Sequence, residues 1–122
     1  MGGNPVNQMD IINKIKLKTI INAAKIVIGV SAGAINLSKE VIYYNNYSEK
    51  LEIYDGIGLI NINVYPHFDI KDKDFEKEVK MVSMTKTLIA LPNETFIKFD
   101  VEQMKFWGEY YKVENGNIIK IN

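Results

Sequence analysis

Cysteine and arginine are both absent from this 122-residue chain, and histidine occurs once. Without cysteine there can be no disulfide, no thiolate nucleophile and no thiolate metal ligand. Without arginine, all fifteen basic residues are lysines. The planar fork that clamps a carboxylate or phosphate through two parallel hydrogen bonds is therefore missing. With a single histidine only a carboxylate-built metal site is open, and neither a metal nor a cofactor is expected. An excess of charge is missing too: fifteen basic residues face fifteen acidic ones, so no net field steers the chain to nucleic acid. No apolar run approaches the roughly 20 residues that span a bilayer. The N-terminus carries no basic-then-apolar signal pattern, so the expectation is a cytoplasmic protein with no membrane partner.

What is present is an ordinary globular composition, 47% hydrophobic and 25% charged, sized for one domain over residues 1–122. After the Gly2-Gly3-Asn4 turn, Val6, Met9, Ile12, Ile15 and Ile20 recur at helical spacing over residues 5–22, with Pro5 suited to the first turn. Lys25 to Val30 is a short Ile/Val run of the kind expected of a strand buried on both faces. Ser31 follows, and a helix is predicted over Ala32–Lys39. Tyr43–Tyr54 reads as a strand plus loop, Asp55-Gly56-Ile57-Gly58 as a turn, and Leu59–Tyr65 as an alternating strand ending at Pro66-His67. Phe75, Val79 and Val82 place an amphipathic helix over Asp72–Lys86, and the charged run Lys71–Lys80 reads as its solvated face. A strand over Thr87–Leu91 and short strands with a hairpin signal at Glu114-Asn115-Gly116-Asn117 close the chain. Strands alternating with helices indicate an α/β sheet finished by an antiparallel ribbon.

The chemistry concentrates on Gly29-Val30-Ser31-Ala32-Gly33. Strand, sharp turn and helix is the setting in which a serine oxygen is exposed at a sheet's carboxyl edge. The bland alternative is a serine that merely caps the following helix, since serine is a favoured N-cap. A serine nucleophile needs a base and oxyanion donors. His67, at a predicted strand end, is the only candidate base. The backbone N–H groups of Ala32 and, from the Gly2-Gly3 turn, Gly3 are the candidate donors. The carboxylate that would orient His67 is not fixed by position: Asp55 and Glu94 stand at predicted strand or loop ends, while Asp69 is too close in sequence.

In this order along the chain, Gly2-Gly3-Asn4, Gly29-Val30-Ser31-Ala32-Gly33-Ala34, Asp55-Gly56-Ile57-Gly58-Leu59, Pro66-His67-Phe68-Asp69 and Ala90-Leu91-Pro92-Asn93-Glu94 resemble the peptidase E (aspartyl dipeptidase) and cyanophycinase family of serine peptidases. The resemblance implies a flavodoxin-like three-layer sandwich related to the class I glutamine amidotransferases, although that class generally uses an elbow cysteine. It implies cleavage of short peptides after an N-terminal aspartate, with Ser31 as nucleophile, His67 as base, and Gly3 and Ala32 forming the oxyanion hole. It also implies that this chain corresponds to the later portion of the fold, without its opening strands. A homo-oligomer or a partner chain is then expected to cover the exposed sheet.

Two departures stand out. The stretch where the family carries its triad aspartate, Tyr44-Asn45-Asn46-Tyr47, has no carboxylate, and the acidic position of the late segment falls on Asn93, with Glu94 one residue on. No arginine is available to grip an aspartate, leaving Lys71 or Lys73 as point-charge substitutes. A catalytically weak or inactive homologue acting as a subunit is the competing expectation.

Overall fold

A computed structural model of the chain describes residues 3–100 and 103–122. Helix α1 (Pro5–Lys14) starts where Asn4 accepts hydrogen bonds from the Val6 and Asn7 N–H groups, at 2.9 and 3.1 Å. That satisfies donors the first turn leaves without partners. The single helix predicted over residues 5–22 is in fact two, because Lys16 adopts a left-handed conformation, φ 52°, between α1 and α2 (Leu17–Ala23). Met9 and Ile12 of α1 are buried with Ile57.

Residues 26–30 correct the expectation of a doubly buried strand. The segment forms no ladder, and Ile26 and Ile28 are each 80% exposed. Alternate residues Val27 and Gly29 are half-buried. An apolar run is buried only when neighbours cover it, and here one side has none among the described residues. The helix after Ser31, α3, is shorter than expected, Ala32–Asn36. Its last residue, Asn36, is fully buried. It donates to the Pro5 carbonyl and to Gln8 Oε1, both at 2.9 Å, and accepts from the Tyr54 hydroxyl at 2.7 Å. This polar knot ties α3 to α1.

The predicted strand-plus-loop is a hairpin, β1 (Glu40–Asn45) against β2 (Lys50–Asp55). The next strand, β3 (Asn63–Pro66), is shorter than the alternating run implied, because residue 60 makes only an isolated bridge to Ser38. Helix α4 (Lys73–Ser83) follows, with Asp72 capping it by accepting from the Asp74 and Phe75 N–H groups. Strand β4 (Leu88–Leu91) pairs parallel to β3. A hairpin of β5 (Phe96–Phe99) and β6 (Met104–Trp107) stands apart, and β7 (Tyr111–Glu114) with β8 (Asn117–Lys120) completes a four-stranded sheet in the order β3-β4-β7-β8. Asn115 and Gly116 both take positive φ in the final turn, as the hairpin signal required.

The protein is thus a mixed α/β molecule with one parallel strand pair. The two faces of β3–β4 carry separate apolar clusters. Tyr65, Leu88 and Ala90 pack with Val79 and Val82 of α4, while Val64 and Leu91 pack with Ala34 of α3 and Leu37 just after it. Strand alternation sends neighbouring side chains to opposite faces. The parallel register pairs Pro66 with Leu91, so the chain leaves both strands at the same edge.

Candidate active site

Three segments deliver three side chains to that edge. The run 26–30 leads into Ser31, whose backbone is held at φ 54° and ψ −122°. A left-handed φ is costly for a residue with a Cβ and persists only where its surroundings enforce it. Gly29 supplies part of that enforcement. A Cβ placed there would lie 2.7 Å from Leu37 Cδ1, 2.8 Å from the Gly33 carbonyl and 2.9 Å from Ala34 Cα. Only glycine lets the incoming chain approach α3 so closely. Gly29→Ala is therefore expected to cost about 1–3 kcal/mol through overpacking and to displace Ser31. A fall in melting temperature together with a loss of Ser31 reactivity would be the observation; unchanged values of both would contradict it.

The serine does not serve as a helix cap: Ser31 makes no side-chain hydrogen bond to α3. Its Oγ lies 2.9 Å from Nε2 of His67. His67 follows the last residue of β3, itself in a left-handed turn with φ 64°, and the next N–H, from Phe68, donates to the Leu91 carbonyl at 3.0 Å. That bond locks the turn after β3 to the end of β4. Just past β4, Asn93 Oδ1 lies 2.9 Å from the other ring nitrogen, Nδ1. An amide oxygen can only accept, so Nδ1 carries the proton and donates to it. Nε2 is then left to accept from the serine hydroxyl. The chain is a serine–histidine–asparagine relay with the tautomer that general-base catalysis requires.

The structure brings together Ser31, His67, Ala32 and Gly3 of the sequence candidates, all of which border one cavity of about 680 Å³. The Ala32 N–H is the first of α3, where no helical acceptor is available to it. Gly3 reaches the cavity with φ 110°, a backbone state suited to glycine. Its neighbour Gly2 lies outside the described residues.

Asp55 and Glu94 are not brought to His67. Asp55 closes β2, opposite Glu40, in the hairpin. Glu94 occupies the left-handed turn position after Asn93, φ 68°, and the oxygen that accepts from Nδ1 belongs to Asn93 instead. An asparagine orients the imidazole but adds no charge to stabilise the imidazolium. Asn93→Ala is expected to lower turnover by about one to two orders of magnitude by freeing the ring, a share of the 10²–10⁴ typical of general-base catalysis. Asn93→Asp is expected to raise turnover. Steady-state kinetics on both variants provide the check, and a faster alanine variant would contradict the role.

Several cavity residues were not singled out by the sequence. Glu78 lies within the charged run assigned to a solvated face, yet it is only 9% exposed. One carboxylate oxygen accepts from the Tyr65 hydroxyl at 2.6 Å and the other from Asn46 Nδ2 at 3.2 Å. Burial pushes the Glu78 carboxyl above its ordinary range, partly offset by those two donors. The spacing held a signal: residue 78 shares a helical face with Phe75, Val79 and Val82. Lys71 is exposed, and Lys73 pairs with Glu76 at 2.7 Å; neither borders the cavity, whereas Lys77 does. Among the described residues, no group of three or more histidine, aspartate or glutamate side chains is gathered to hold a metal ion, and no helix is long and apolar enough to cross a membrane.

Compared with known proteins, the model for peptidase family S51, the peptidase E and cyanophycinase family, matches residues 1–106. No curated protein and no solved structure matches the chain.

Proposed function

The chain belongs to peptidase family S51, and from that premise we propose that it hydrolyses short peptides through an acyl-enzyme on Ser31. The observation that carries this reading is the 2.9 Å contact between Ser31 Oγ and His67 Nε2. His67 takes the hydroxyl proton as Oγ attacks the peptide carbonyl. The N–H groups of Ala32 and Gly3 receive the developing oxyanion. The protonated imidazole, held by Asn93, gives its proton to the departing amine. Water then enters by the reverse sequence and releases the acid. The resemblance implies a dipeptidase-type substrate beginning with aspartate, but the missing arginine removes the usual means of holding that side chain.

The test is a panel of short peptides, followed by amine release and by rapid-quench intact mass. Release of free amine with a transient acyl adduct on Ser31 is the expected result. Hydrolysis without any adduct, or no hydrolysis across the panel, would count against it. The second reading, a weak or inactive homologue acting as a subunit, is favoured by the neutral Asn93 in place of a carboxylate.

We also propose that a second copy of the chain covers the exposed row Ile26, Ile28 and Val30, extending the layers towards the flavodoxin-like arrangement that the family resemblance implies. A row of exposed apolar side chains on a segment that pairs with no strand is a surface ready for a partner. Light scattering is expected to give a mass above the 14.0 kDa of one chain, reduced to that value by Ile28→Asp. A well-folded wild-type monomer would contradict this.

A further inference from the structure

We propose that the cavity beside Ser31 selects peptides bearing a positively charged side chain, with Glu78 as the specificity-determining residue; this rests on the peptidase reading above. The charges on the wall are unequal. Asp72, Asp74 and Glu78 border the cavity, against Lys77 alone. Asp72 is engaged as the cap of α4, accepting from the Asp74 and Phe75 N–H groups.

Glu78 is the unusual member, because its two hydrogen-bond donors, Tyr65 and Asn46, are both neutral. Of the three lysines of α4, Lys77 borders the cavity but makes no ion pair with Glu78, and the other two are committed elsewhere. Lys73 and Lys80 both pair with Glu76, at 2.7 Å each, on the neighbouring part of the helix. A buried carboxylate without a counter-charge is costly, and a ligand cation reaching it removes much of that cost.

The same cavity supplies a place for an apolar stem. Tyr43, Tyr65 and Phe75 all border it, the Tyr43 and Phe75 ring centroids lying 6.3 and 5.9 Å from that of Tyr65. Aromatic faces favour an adjacent ammonium or guanidinium group. An aspartate side chain would meet three carboxylates and no arginine. The geometry thus separates this site from one built for an acidic residue.

The experiment measures binding without turnover. The Ser31→Ala variant is titrated calorimetrically with lysyl-leucine, norleucyl-leucine and aspartyl-leucine, which share a backbone and differ in the first side chain. Lysyl-leucine is expected to bind about tenfold more tightly than either other peptide, the scale of one well-placed charge pair. Glu78→Gln is expected to bring the lysyl and norleucyl affinities to within about twofold, on the same scale. Asp74→Asn, at an exposed position, should weaken the lysyl preference less and serves should Glu78→Gln fail to fold. Equal or tighter binding of aspartyl-leucine overturns the proposal. So does an absence of lysyl-leucine binding, or a lysyl preference that survives Glu78→Gln intact. The peptidase reading is judged separately, by reactivity of wild-type Ser31 towards a phosphonylating probe, which requires no peptide.

Discussion

Ser31→Ala is expected to abolish peptide hydrolysis, lowering turnover by about four orders of magnitude or more. Losing the nucleophile of a serine–histidine relay removes the whole unit, because the base then has nothing to activate. The fold should be unaffected. The Ser31 hydroxyl makes its side-chain hydrogen bond to the exposed His67 and none to α3, so alanine leaves no buried donor unsatisfied. Stability should shift by no more than about 0.5 kcal/mol, as at other positions away from the core. Turnover measured beside a thermal melt separates the outcomes. A stable variant that kept a substantial part of the activity would show that the chemistry lies elsewhere.

The second large effect is expected at His67. His67→Ala should reduce turnover by about 10²–10⁴, the range typical of general acid–base catalysis. No other histidine is present to take over. The loss should be partly reversible by added imidazole, because the adjoining cavity of about 680 Å³ has room for it. Rescue would distinguish a missing base from a collapsed turn, since His67 sits at φ 64° and helps shape the end of β3. A loss that imidazole never restores, in a variant that melts normally, would argue for a purely structural role.

The placement of Ser31, His67, Ala32 and Gly3 around one cavity was legible because it depends on local sequence: small residues around a sharp turn, and a histidine beyond a strand. Asn93 was visible only as the residue standing where an acid was expected. Chemistry favoured Glu94 beside it, but the end of β4 and the left-handed turn at residue 94 deliver Asn93 to the ring instead. One residue of register decides which side chain faces the site. Asp55 drew notice by its turn, yet the β1–β2 hairpin that contains it could not be located from a Tyr/Asn-rich stretch.

The segment 26–30 was read from its own apolar residues, whereas burial is a property of what lies alongside. Glu78 was concealed by its charged neighbours. Its partners, Tyr65 and Asn46, come from β3 and from the turn between β1 and β2, far apart in sequence. The alternation of helices and strands was legible because it follows from local periodicity; the separation into a four-stranded sheet and two hairpins was not, because strand pairing is long-range.

The central claim is that Ser31 is an activated nucleophile, and the most direct measurement of it is covalent labelling of the intact protein by a fluorophosphonate. The expected result is a single adduct that maps to Ser31, is absent from Ser31→Ala and is strongly slowed in His67→Ala. A folded wild-type protein that acquires no adduct at Ser31, or one labelled equally fast without His67, would contradict it.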